Sequence, residues 1–152
     1  MKHALSKRHY HFKSAQRYPS DTDGSQIEYA KILNEKMILE KCQKMQIKHF
    51  LSLSDCFTDD SDDSVHLVTK HMKDGNLFDF LKNSASTVAE REVKMIASTL
   101  VETLLGMHLC EIYHGNLVLQ SVFLKLSKKS SGFSVKLGGF WNARNLRSVD
   151  ES

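Results

Sequence analysis

Long apolar runs are missing from this sequence. No stretch approaches the ~18 uninterrupted apolar residues that a membrane-spanning helix needs. The basic start, Met1 to Tyr10, has no apolar run of the kind a secretory signal requires. Cysteine is scarce: Cys42, Cys56 and Cys110 are the only three, and no pair has C-x-x-C spacing. That excludes the common zinc and redox motifs and fits reduced thiols in a cytoplasmic protein. The eight histidines never form H-E-x-x-H, so no metal site is expected from them. The single proline, Pro19, lies in a loop-like segment, residues 18–25. Its Asp21-Thr22-Asp23-Gly24 run lacks the remaining ligands of a calcium loop and reads as a turn. No internal repeat is visible.

The bulk composition is that of a globular protein. The 152 residues are 41% hydrophobic and 26% charged, enough for one domain with a core. The formal net charge of +3 is too mild to imply a specific nucleic-acid partner. Residues 1–17 carry five Lys or Arg and no acidic residue. They read as a basic strand or linker with a solvated face; the alternative is an arm for anionic partners.

Periodicity divides the rest. Residues 26–44 suit a helix, with Tyr29, Ile32 and Leu39 on one side, Ala30, Leu33 and Met37 beside them, and Glu35 between. Such a lone glutamate, taken by itself, reads as solvated. Residues 50–57 and 65–72 suit two strands, joined by a turn bearing Asp59, Asp60, Asp62 and Asp63 that reads as an exposed hairpin tip. A turn at Lys73-Asp74-Gly75-Asn76 leads to a short helix, residues 77–82. Thr87 with Glu90 is a capping-box pattern for a long helix with Val93, Ile96, Ala97, Leu100, Leu104 and Met107 as its apolar stripe. Val122, Leu124 and Leu126, then Val135 and Leu137, alternate as a β-hairpin. The fold class is therefore α+β.

Four ordered blocks carry a resemblance. Asn34-Glu35-Lys36-Met37-Ile38-Leu39 looks like the regulatory helix of calcium/calmodulin-dependent kinases. Leu67-Val68-Thr69-Lys70-His71-Met72 through Leu77-Phe78 looks like the last small-lobe strand, the hinge and the helix after it. Tyr113-His114-Gly115-Asn116-Leu117 stands where H-R-D-L belongs, and Val135-Lys136-Leu137-Gly138-Gly139-Phe140-Trp141 where the strand ending in D-F-G belongs. Over residues 26–145 the chain resembles the middle of a Ser/Thr protein kinase, a partial two-lobe fold. Residues 1–25 are then a basic strand or linker, and residues 146–152 a polar tail. The resemblance places the glycine-rich phosphate loop before residue 1 and leaves out the A-P-E segment.

The same blocks imply lost chemistry. The resemblance puts Asn116 at the catalytic base, Val118 at the catalytic-loop lysine, Ser121 at one metal ligand and Gly139 at the D-F-G aspartate. A neutral amide cannot accept the hydroxyl proton as a carboxylate does, and losing a general base typically costs ~10²–10⁴ in rate. Losing both metal ligands removes the main electrostatic help. No magnesium and no required cofactor are expected. An adenine pocket at Thr69, Lys70, Met72, Asn76 and Phe123, with Glu35 as the helix glutamate, would leave only weak, metal-free ATP binding. Lys2 is the candidate partner of Glu35. A side-chain stack of Leu39, Leu53, His114 and Phe140 would join the lobes. These features imply an inactive, pseudokinase-like regulator whose partner is another protein kinase or that kinase's substrate. The alternatives are an atypical or incomplete ATP-binding Ser/Thr kinase and a non-functional kinase fragment.

Overall fold

A computed structural model describes residues 9–17, 23–83, 88–126 and 133–146. The first strand, β1 (Tyr10–Gln16), precedes a 22-residue helix, α1 (Asp23–Lys44). Strands β2 (Leu53–Asp59) and β3 (Ser64–Lys70) form a hairpin, and helices α2 (Leu77–Asn83) and α3 (Glu90–Leu109) follow. The short β4 (Ile112–Tyr113) pairs with β7 (Arg144–Asn145). Between them lie the hairpin β5 (Val122–Leu126) and β6 (Phe133–Leu137) and two single 3₁₀ turns, Leu119–Ser121 and Phe140–Asn142. The α+β expectation holds. No helix among the described residues is long and apolar enough to cross a membrane.

The first sheet has the order β1-β3-β2, antiparallel throughout. Its central strand, β3, buries Val65, Leu67 and Thr69 toward α1. Helix α1 answers with Ile32, Glu35, Ile38, Leu39 and Cys42, at spacings of three and four. The expected apolar side is only partly right. Leu33 and Met37 are exposed, and the buried stripe runs through Glu35 instead. That glutamate is not solvated, because Lys13 of β1 reaches it.

The long helix also differs at its start. Its N-cap is Ala89, whose N–H donates to Glu92 Oε2 at 3.0 Å. The expected cap, Thr87, lies outside the described residues. Of the expected stripe, Ile96 and Met107 are buried and Leu100 and Leu104 half-buried, but Val93 and Ala97 are exposed. Thr103 is buried instead, its hydroxyl donating to Thr99 O at 2.7 Å, so the polar atom is satisfied within the helix. The strand expected over residues 50–57 begins at Leu53; Phe50 makes a lone parallel bridge to Leu137, tying the first sheet's side of the molecule to the β5–β6 hairpin. Leu51 N–H donates to Leu137 O at 2.7 Å and Leu137 N–H to His49 O at 2.8 Å. Leu126, expected inside, is half-exposed at the hairpin end.

The main core joins α1, β3, the end of α3 and the Phe140 turn, with Phe140, Leu39, Ile38, Leu67 and Met107 completely buried. A smaller cluster holds Leu77, Ile96, Val122, Leu124 and Val135. All three cysteines are free thiols. Burial pushes Cys42 up to about 12, so it stays protonated and unreactive.

Candidate functional site

A cleft of about 430 Å³ opens between the first sheet and the β5–β6 hairpin. Thr69, Lys70, Met72, Asn76, Phe123 and Glu35 all line it, the six positions assigned to an adenine pocket from sequence. His11, Lys13, Leu51, Gly139 and Trp141 line it as well. The connection from β3 to α2 forms its back edge, held on its outer side by β1: His71 N–H donates to His9 O at 3.2 Å.

The cation paired with Glu35 in this cleft is Lys13. Lys13 Nζ lies 2.6 Å from Glu35 Oε2, and the Glu35 side chain is only 4% exposed against 33% for Lys13. Lys2 lies outside the described residues. Lys13 was missed because β1 is largely exposed and its run of positive charge reads as a solvated arm. The signal available was its antiparallel register against β3, which places Lys13 opposite Leu67 on the strand leading to the cleft. His11, two residues earlier, faces the same cleft; burial first, then Lys13 and His71, hold its pKa below the ordinary imidazole value.

The loop positions present little chemistry. Ser121 is buried, and its hydroxyl donates to Val118 O at 2.7 Å while accepting from Val118 N–H at 3.2 Å. The hydroxyl's proton and one of its two lone pairs are therefore used within its own turn. Gly139 has φ +75°, and a Cβ there would sit 3.4 Å from Ser121 Cβ. Val118 is 43% exposed and apolar. Asn116 donates its backbone N–H to His114 Nδ1 at 3.3 Å. Gly115 has φ +71°, and a Cβ on it would collide with the Asn142 carbonyl oxygen. The same Asn142 donates Nδ2–H to Gly115 O at 3.0 Å. The two loops are clasped so closely that only glycine fits at this position.

Asn76 lines the cleft but spends its side chain elsewhere. Its Oδ1 accepts Asp79 N–H at 2.9 Å and its Nδ2 donates to Asp79 Oδ2 at 2.7 Å, capping α2.

The four stack positions meet in one core. Leu39 and Phe140 are fully buried, Leu53 packs half-buried against the same cluster, and the His114 ring lies 5.0 Å from the Phe140 ring. Phe50, absent from the sequence reading, adds an edge-on ring at 6.4 Å. His114 Nε2 lies 2.9 Å from Gly138 O. A carbonyl only accepts, so Nε2 carries the proton and Nδ1 is the acceptor for Asn116. Burial holds the His114 pKa below its ordinary value, against smaller opposing effects from Gly138 O and Glu35.

The segment after Phe140 is anchored on α1. Asn34 Nδ2 donates to Trp141 O at 3.1 Å and Ala143 O at 2.9 Å, and Lys31 Nζ stands 4.9 Å from the centre of the Trp141 ring. Trp141 thus closes the cleft beside Lys13 and Glu35.

The order of elements, the cleft between them and the Lys13–Glu35 pair all belong to one known architecture. The model of the protein kinase domain family matches residues 1–151. This chain belongs to the protein kinase family. No curated relative matches it at a significant level. In kinase terms, α1 is the regulatory helix, the β3–α2 connection the hinge, and Asn116 to Ser121 the catalytic loop.

One further group of ligand atoms lies outside the kinase cleft. One atom each from Asp59, Asp62 and His66 fall within 4.8 Å of one another at the β2–β3 tip. Their carboxylates already accept hydrogen bonds: Asp59 from the Ser61 N–H and hydroxyl, Asp62 from Ser64 N–H and Gln16 Nε2.

Proposed function

We infer that this kinase-family domain does not transfer phosphate and acts by binding, as a regulator of a protein kinase or of a kinase substrate. The observation that carries this reading is the state of the loop beneath the cleft. The position of the family's base is the amide Asn116, one metal position has its hydroxyl bound within its own turn, and the other, Gly139, has no side chain. Phosphoryl transfer depends on positioning and on metal-borne charge neutralisation, and this loop supports neither. Around it the framework is kept: the Lys13–Glu35 pair is made and the Phe140–His114 packing is closed.

The cleft itself favours a planar ligand over a metal–triphosphate. It offers hinge backbone, the Phe123 ring, His11 and two lysines, Lys13 and Lys70. ATP would then bind weakly and without help from magnesium.

The test is direct. Purified protein incubated with ATP, magnesium or manganese, and generic protein substrates should show no transfer above background. ATP should shift the melting temperature equally with and without magnesium; a ligand present at 100 times its Kd would add about 2.7 kcal/mol. Metal-dependent phosphate transfer that disappears in Lys13→Met would overturn the reading.

A further inference from the structure

A second cavity, of about 530 Å³, lies on the outer side of the hinge. Lys70 and His71 line both cavities, so only the hinge chain separates them. The outer cavity is completed by Lys73 beyond the hinge, Lys125 from β5 and His9 at the start of β1. Among the described residues, every ionisable acid–base group around it except Tyr10 is a lysine or histidine, and no carboxylate lines it. Tyr10 and Ser54 add hydroxyl groups.

This concentration of charge is uncompensated among the described residues. Lys70, Lys73 and Lys125 make no ion pair, whereas Lys13, Lys31, Lys36, Lys48 and Lys94 all do. The nearby carboxylates in sequence, Asp55 and Asp74, accept Cys56 N–H and Leu126 N–H, each at 2.8 Å, and neither forms an ion pair with these lysines. Lys136, on the neighbouring strand, feels the same excess. Burial first, then the charge of Lys70, hold its pKa below the ordinary lysine value, and its ammonium turns to Phe50 O at 3.0 Å. Like charges gathered in a concave site repel, and a multiply charged anion seated among them relieves that repulsion.

We propose that this outer hinge cavity docks an acidic peptide segment of a partner protein, its carboxylates or phosphorylated side chains meeting Lys70, Lys73 and Lys125. The inference rests on the binding role given above and names its chemistry. A peptide fits better than a nucleic acid. The charge is confined to one pocket, the whole chain carries only +3, and tracking a phosphate backbone takes a stripe of cations. The three cations are lysines, mobile point charges that serve carboxylate and phosphate alike.

The full chain, without nucleotide, is titrated into fluorescein-labelled short poly-glutamate, its phosphoserine counterpart and a poly-glutamine control of equal length. Binding is read by anisotropy. Both acidic peptides should bind and the neutral one should not. The triple variant Lys70→Gln, Lys73→Gln, Lys125→Gln should weaken binding by about tenfold or more, while Lys31→Gln, Lys36→Gln, Lys94→Gln, which removes the same charge elsewhere, should change it less than about twofold. Equal losses in the two triple variants would reduce the effect to net charge and overturn the proposal. So would tighter binding to single-stranded DNA than to either peptide, or salt-sensitive self-association that Asp60→Asn and Asp62→Asn abolish, since the occupant would then be a nucleic acid or a second copy. Thermal melts of both variants establish that they remain folded. The assay contains no ATP, so its result stands whether or not the chain transfers phosphate.

Discussion

The two sides of the candidate site are held in place by different means. On the α1 side, Glu35 is buried and paired, Leu39 and Phe140 are fully covered, and Asn34 ties the helix to the backbone of Trp141 and Ala143. On the catalytic-loop side, Asn116, Val118, Ser121 and Gly139 carry no carboxylate, and of these four only Gly139 lines the cleft. Groups on the first side hold the fold as well as serve the cleft. Packing constrains a buried ring from every direction, whereas a loop carboxylate is constrained by what it binds. The buried and paired groups of the first side are therefore fixed by the fold itself.

The sharpest way to break this contrast is to remove the mechanical part. Phe140→Ala empties a fully buried position between His114 and Phe50 and should cost about 3–5 kcal/mol. Urea unfolding measures this directly. A loss below about 1 kcal/mol would mean that the stack is loosely packed.

The Lys13–Glu35 pair should respond asymmetrically. Lys13→Met leaves a carboxylate that is 4% exposed without its partner, and should cost about 2–3 kcal/mol. Glu35→Gln leaves a lysine that is one-third exposed and can turn to water, and should cost about 1 kcal/mol. Equal costs would mean that the pair is solvated. Both variants are read as melting temperatures at neutral pH.

The two loop glycines differ in the room they leave for a side chain. Gly115→Ala must push a Cβ into the Asn142 carbonyl from a left-handed backbone and should cost about 2–3 kcal/mol. Gly139→Ala meets only Ser121 Cβ at 3.4 Å and should cost about 1 kcal/mol for its backbone conformation. A side chain is therefore sterically feasible at Gly139 and not at Gly115. If Gly115→Ala proves neutral, the clasp with Asn142 is not a constraint.

The legibility of the molecule follows the same division. Helices and hairpins could be read because their periods and turns are local: Ile96 to Met107, Val122 to Leu126, and Gly75 before α2. The six cleft residues could be read because the family's motifs fix their spacing along the chain. What failed was either ambiguous or non-local. The acidic residues Glu90 and Glu92 allow two capping frames, and the structure uses the second, with Ala89 as cap. Lys13 belongs to a mostly exposed strand whose charge masks its register. The Asn34 bonds to Trp141 and Ala143, and the Gly115 approach to Asn142, connect segments far apart in sequence. No period or spacing announces them.

The smallest effect separates packing from protonation at His114. Its ring is 4% exposed, and burial lowers its pKa below the ordinary 6.5. Between that lowered value and 6.5 the unfolded chain binds a proton that the folded chain refuses. Stability from this group is therefore complete above pH 6.5 and is lost as the pH falls through the folded value. His11, lowered for the same first reason, contributes a slope of the same sign. Replacing His114 by Phe keeps a ring against Phe140 but gives up the bonds to Gly138 O and Asn116 N–H, at a cost of about 1 kcal/mol above pH 7. The variant should lose less stability than the parent on acidification from pH 7 to 5. Denaturant unfolding at a series of pH values decides it. An unchanged slope would show that His114 takes no part in the acid response, and that its place in the stack is maintained by shape alone.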